Sequence, residues 1–138
     1  MAMRREFDLP DEDRAFLDAY GCPWETVMDG SPWVLLHGFP TQDAGYNHDA
    51  VTAAIRIETG YPKAALDMVY FHPALARKDG RAIGATQATQ QLDGKVFQRW
   101  SRHYTPANPW VVGEHNLGTH ILTVEGWLMR EFEKCPAQ

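Results

Sequence analysis

Four strand-patterned segments crowd between residues 24 and 71, separated by short turn-forming stretches with no helical period between them. Strands laid down in such quick succession pair with their neighbours antiparallel, because a parallel pair needs a crossover of a dozen residues or more. Residues 24–28 close at the Asp29-Gly30 turn, and residues 33–39 follow, rich in Val, Leu and Phe. Residues 41–47 contain Gly45 and Asn47 and read as a loop. Residues 51–57 set Val51, Ala53, Ile55 and Ile57 against Thr52, Ala54 and Arg56, the period of a half-buried strand. Gly60-Tyr61-Pro62 breaks that strand, and residues 66–71 form a fourth that ends at His72-Pro73. The expectation is a four-strand antiparallel meander.

Helical signals flank it. Asp8-Leu9-Pro10-Asp11-Glu12-Asp13 supplies a capping Asp, a first-turn Pro and acids that suit the helix dipole. Phe16, Leu17 and Tyr20 give that helix an apolar side, and Gly21 stops it before Pro23. Near the other end, residues 114–133 predict a helix whose Leu117, Ile121, Val124 and Leu128 step by four, three and four; Trp127 and Phe132 broaden the stripe. Between them, residues 76–95 hold no strong period and read as a long loop, with turn pairs at Asp79-Gly80 and Asp93-Gly94. Residues 96–100 suit a short extended segment and residues 105–109 a turn. The class is α+β.

A chain of 138 residues, 44% apolar, buries a core as one domain without disulfides or metal, the core spanning about residues 8–132. The net charge of −5, with no run of Lys or Arg, argues against a nucleic-acid partner. No apolar run approaches the roughly 20 residues of a membrane span. The first ten residues lack the apolar stretch of a secretory signal, so a cytoplasmic protein is expected. Cys22 and Cys135 fit no metal or redox spacing and read as inert thiols. His115 and His120 stand five apart, off a common helical face, and His37, His48 and His72 lie on separate segments, so neither a metal site nor a cofactor is expected.

The chemistry concentrates in Trp100-Ser101-Arg102-His103. In an extended segment Ser101 and His103 emerge on one face. A serine hydroxyl does not ionise usefully and needs a base within hydrogen-bond reach, a role suited to His103. Arg102, or a helix N-terminus around Gly113, is a candidate oxyanion stabiliser. Thr105 offers a second hydroxyl, though a turn role suits it better, and Trp100 and Trp110 read as packing aromatics. Asp67, a carboxylate inside an apolar strand, reads as solvent-facing or turn-capping, and Arg77-Lys78-Asp79-Gly80-Arg81 as a solvated loop.

This order of elements resembles the ubiquitin-conjugating (E2) fold: helix, meander, Tyr-Pro turn, long loop, nucleophile segment, Trp, helix. Gly60-Tyr61-Pro62 ahead of Leu66-Asp67-Met68-Val69-Tyr70-Phe71 is similar to that family's Tyr-Pro turn and fourth strand, and Trp110 follows Ser101 by nine residues. With Gly45-Tyr46-Asn47 and Trp100-Ser101-Arg102-His103 added, residues 8–132 resemble the bacterial prokaryotic E2 family E, a UBC-like family. Two departures stand out. The nucleophilic cysteine is absent, and His72-Pro73-Ala74 replaces a His-Pro-Asn triplet and comes too early.

The resemblance implies an E1-like adenylating enzyme and a ubiquitin-like protein as partners, with a peptidase encoded alongside. It also implies a carrier that takes the modifier C terminus on Ser101 as an oxyester and passes it to a target amine. His103 and Arg102 would assist, Thr105 is the alternative nucleophile, and Trp100, Trp110, Tyr61 and Pro62 shape the site. Two other readings stay open. One is an inactive E2-like scaffold that binds the ubiquitin-like protein or E1 without covalent chemistry. The other is an unrelated α+β hydrolase with a Ser–His pair, which lacks a Gly-x-Ser-x-Gly elbow and an evident third triad member.

Overall fold

The structure, a computed structural model, describes residues 3–134. Its elements run α1 (Asp11–Tyr20), β1 (Trp24–Asp29), β2 (Ser31–Pro40), β3 (Ala50–Arg56), β4 (Val69–His72), β5 (Thr89–Leu92), β6 (Lys95–Trp100) and α2 (Leu117–Lys134). Six antiparallel strands form one sheet in the order β1-β2-β3-β4-β6-β5. The α+β class and the UBC-like arrangement, with an N-terminal helix, a curled antiparallel sheet and a C-terminal helix, are as expected. Cys135 lies outside the described residues.

The sheet extends beyond the four-strand meander. Residues 89–92, part of the expected long loop, are strand β5, and residues 95–100 are a full strand inserted between β4 and β5. Asp93 and Gly94 both take positive φ, 53° and 73°, the geometry of a tight two-residue hairpin turn. β4 starts at Val69 rather than residue 66, because Met68 adopts a left-handed φ of 57° that interrupts the pleat. α1 begins at Asp11 with Pro10, not Asp8, in the cap position and no side-chain cap bond. α2 begins at Leu117 rather than residue 114. Asn116 Oδ1 accepts from the Thr119 N–H at 3.0 Å while Thr119 Oγ1 accepts from the Asn116 N–H at 2.8 Å, a reciprocal cap.

Both faces of the sheet are apolar. One receives the helices, with Leu17, Phe39, Phe71, Trp100, Ile121 and Leu128 almost completely buried. The opposite face carries a second cluster of Val27, Trp33, Leu35, Tyr70, Leu92 and Phe97. This explains why Trp33 to Leu36 is buried without alternation. Among the described residues no helix contributes to that second cluster; the sheet curls over it. The β1–β2 and β5–β6 turns meet where Asp29 Oδ2 accepts from the Asp93 N–H at 2.8 Å.

Arg4 clamps the curl, donating from Nε to Glu25 Oε2 at 2.8 Å and from Nη2 to Asp93 Oδ2 at 2.7 Å. On the helical face, Tyr61 joins the two helices. Its hydroxyl donates to Asp13 Oδ2 at 2.6 Å and accepts from the Leu117 N–H at 2.6 Å.

The clamp implies an acid-sensitive fold. Hydrogen bonds from Arg4 hold the Glu25 carboxyl near pH 2, below its ordinary 4.5. A depressed carboxylate contributes stability above about pH 4.5 and loses it as the pH falls toward 2. Because the Arg4 side chain is 39% exposed, solvent screening trims the contribution to about 1–2 kcal/mol. Urea unfolding between pH 7 and pH 2 should show this slope in the native protein and a flatter one in Arg4→Ala. Identical slopes would remove the clamp from the account.

Candidate active site

Beyond Trp100 the chain stays extended for three residues. The Ser101 N–H donates to the Ala85 carbonyl at 3.0 Å, and the Arg102 carbonyl accepts from the Met68 N–H at 3.1 Å. With the backbone held on both sides, Ser101 and His103 share a face as their spacing predicts. Ser101 Oγ lies 3.0 Å from His103 Nε2, and His103 Nδ1 lies 2.7 Å from Asp67 Oδ1. An ionised carboxylate only accepts, so Nδ1 carries the proton and Nε2 accepts from the serine hydroxyl. Hydroxyl, imidazole and carboxylate thus stand in the order of the groups of a catalytic triad.

Asp67 is the member that sequence reasoning missed. It is not a simple solvent-facing or turn-capping group, because its carboxylate binds an imidazole 36 residues away. The one available signal was a lone acid flanked by Leu66 and Met68.

Its placement depends on Met68, whose left-handed backbone is strained for a residue with a side chain. The Met68 carbonyl accepts from His120 Nε2 at 2.9 Å, and His120 Nδ1 accepts from the Tyr104 hydroxyl at 2.6 Å. His120 is completely buried on α2. Burial pulls its pKa down from 6.5 to about 4, so the ring is neutral near neutral pH.

Arg102 faces other tasks than the Ser101 hydroxyl. Its guanidinium donates to the Gly84 carbonyl at 3.0 Å, sits 4.9 Å from the Trp100 ring and lies 3.8 Å from Glu131 Oε2. Gly113 is not at a helix N-terminus. It occupies a turn with φ 88°, α2 begins four residues later, and its first N–H is used by Tyr61. Thr105 closes a turn with Asn108, its Oγ1 accepting from the Asn108 N–H at 3.1 Å.

Trp100 is a core residue, edge-on to Phe71 with ring centroids 5.3 Å apart. Trp110 is half-buried, donates to the Pro62 carbonyl at 3.1 Å and packs on Tyr104 and Tyr61. Trp110, Tyr61 and Pro62 thus form one packed group beside Tyr104, while Trp100 belongs to the core. A cleft of about 560 Å³ opens beside His103, bordered by Gly84, Ala85, Arg102, Trp127 and Arg130. The His103 side chain is 53% exposed and that of Asp67 35%. The His103 ring is therefore open to water. Among the described residues no three His, Cys, Asp or Glu side chains are grouped to hold a metal ion.

The family model for Prokaryotic E2 family E matches residues 9–131, nearly the whole chain. No curated protein and no solved structure matches the chain.

His120 supplies a test of how the site is supported. The unfolded ring takes up a proton near pH 6.5, whereas the folded ring resists until about pH 4. Stability therefore falls as the pH drops across that window, by roughly 2–3 kcal/mol. In His120→Gln this slope should vanish while the loss of fit already lowers stability at pH 7. An NMR titration placing His120 at an ordinary value would overturn the assignment.

Proposed function

The chain belongs to prokaryotic E2 family E, and from that premise we propose that it carries the C terminus of a ubiquitin-like protein as an oxyester on Ser101. It accepts the acyl group from an E1-like adenylating enzyme and passes it to a target amine. The reading rests on the hydrogen-bonded line from Ser101 Oγ through His103 to Asp67.

In the loading step Oγ attacks the activated carbonyl carbon and gives its proton to His103 Nε2. The imidazolium that forms is stabilised by Asp67 and passes its proton to the E1 group as the bond between the acyl carbon and E1 breaks, which leaves His103 neutral for the next step. In the second step His103 accepts the proton of the incoming amine, and Ser101 leaves as the alcohol. Arg102 assists by holding the 84–85 loop and the extended segment in register.

Cys22 is a poor substitute. Burial pushes its thiol pKa up, and its Sγ contacts the Gly38 carbonyl away from His103. Work with an adenylating partner is compatible with the cytoplasm, and no helix among the described residues is long and apolar enough to cross a membrane.

The test mixes the protein with its E1-like and ubiquitin-like partners and ATP. An adduct cleaved by hydroxylamine, stable to thiol reductant and absent in Ser101→Ala is the expected result. Asp67→Asn should slow loading by about 10²–10⁴-fold. An adduct that survives Ser101→Ala but disappears in Cys22→Ala would reverse the assignment, and a complete absence of adduct would leave a non-covalent scaffold.

A further inference from the structure

We infer that the chain is also a serine hydrolase, cleaving carboxylic esters with water and without any partner protein. This goes beyond the carrier reading. It uses the same nucleophile but needs neither adenylation nor a ubiquitin-like protein.

Two observations carry it. The first is the completeness of the triad: a serine at 3.0 Å from Nε2 and a carboxylate at 2.7 Å from Nδ1. A base oriented in this way activates an unloaded serine, so an ordinary ester of modest reactivity is attacked without prior activation. The second is exposure. Water that reaches the base competes with an amine for the acyl intermediate. Here the His103 ring is more than half exposed and borders an open cleft. Water therefore has access to Nε2 after acylation.

The chemistry closes without a further reagent. Oγ bonds to the carbonyl carbon as its proton moves to Nε2, and the ester alcohol departs with that proton. Water then bonds to the acyl carbon, its proton moves to Nε2, the Ser101 C–O bond breaks, and Oγ regains the proton. The products are a carboxylic acid, an alcohol and unchanged enzyme. Small residues at Gly84 and Ala85 border the cleft beside His103. The rest of the cleft is edged by charged side chains such as Arg102, Arg130, Glu131 and Lys134, so the substrate class is esters of short acyl groups rather than long hydrocarbon chains.

The test uses the purified chain alone. A fluorophosphonate probe should label Ser101, located by peptide mass spectrometry, and p-nitrophenyl acetate should be hydrolysed with turnover. Ser101→Ala should lose both, and Cys22→Ser should keep both. Asp67→Asn, a near-isosteric change, should lower kcat by about 10²–10⁴-fold while circular dichroism remains native. Failure of the probe to label Ser101, or equal hydrolysis by Ser101→Ala, would overturn the inference. Hydrolysis persisting when loading by E1 fails would sink the carrier reading alone. Loading without any ester turnover would sink the hydrolase alone.

Discussion

A single methionine in a left-handed conformation couples the sheet, the long helix and the reactive segment. The Met68 N–H is tied to the strand extension at Arg102, and its carbonyl is tied to His120 inside α2. Holding a non-glycine residue there costs on the order of 1–3 kcal/mol, which persists only where the surroundings over-determine it. The surroundings here do so from two directions. The consequence is that Asp67 leaves the line of β4 and turns toward His103. If the clamp relaxed, β4 would extend as a regular strand and the carboxylate would no longer be aimed.

The clamp is itself held by a buried polar relay in an aromatic setting. Tyr104 donates to His120, and Trp110 packs edge-on to Tyr104 at 5.3 Å while donating to Pro62. Tyr61, the neighbour of Pro62, then bridges the start of α2 to Asp13 of α1. Tyr104, His120 and Tyr61 each find a partner, as a low-dielectric interior demands, whereas the buried Asp13 Oδ1 has none among the described residues. The Tyr-Pro turn is therefore part of the same framework as the reactive segment, although it touches neither Ser101 nor His103. At the opposite end, Gly45 leaves no room for a side chain, since a Cβ would lie 2.5 Å from the Phe132 ring. That close approach lets Tyr46 bury its ring against Trp100 and donate to the Leu128 carbonyl.

Periodicity made the parts built from local pattern legible. The stripe of Leu117, Ile121, Val124 and Leu128 faces the core, and the alternation through Val51, Ala53 and Ile55 marks β3. The Ser101–His103 pair was legible for the same reason, because an extended chain aligns residues two apart. What escaped detection has non-local causes. β5 is short and polar, with Leu92 its sole buried residue, so its strand character comes from pairing with β6. The alignment of Asp67 depends on a backbone inversion at Met68 and on a partner three residues past the end of β6, neither of which leaves a trace in composition. The late start of α2 reflects the Asn116 and Thr119 cap, which outweighs a nominally helical run before it.

On the proposed serine carrier, a hydroxyl in place of a thiol would account for such a framework. A cysteine is partly ionised near neutral pH and needs little help, so an E2-like site built on it tolerates loose surroundings. A serine acts only when a base is held at the right distance and in the right tautomer, and the tautomer is set by the acid behind the base. That requirement places the demand on Asp67, and through it on Met68, His120 and the aromatic packing of α2. The same demand fixes the balance between transfer and hydrolysis. An oriented, solvent-exposed imidazole accepts a proton from water as readily as from an amine. On the proposed carrier reading, selectivity for an amine would then come from how closely an incoming partner covers the cleft beside His103, rather than from the three groups themselves.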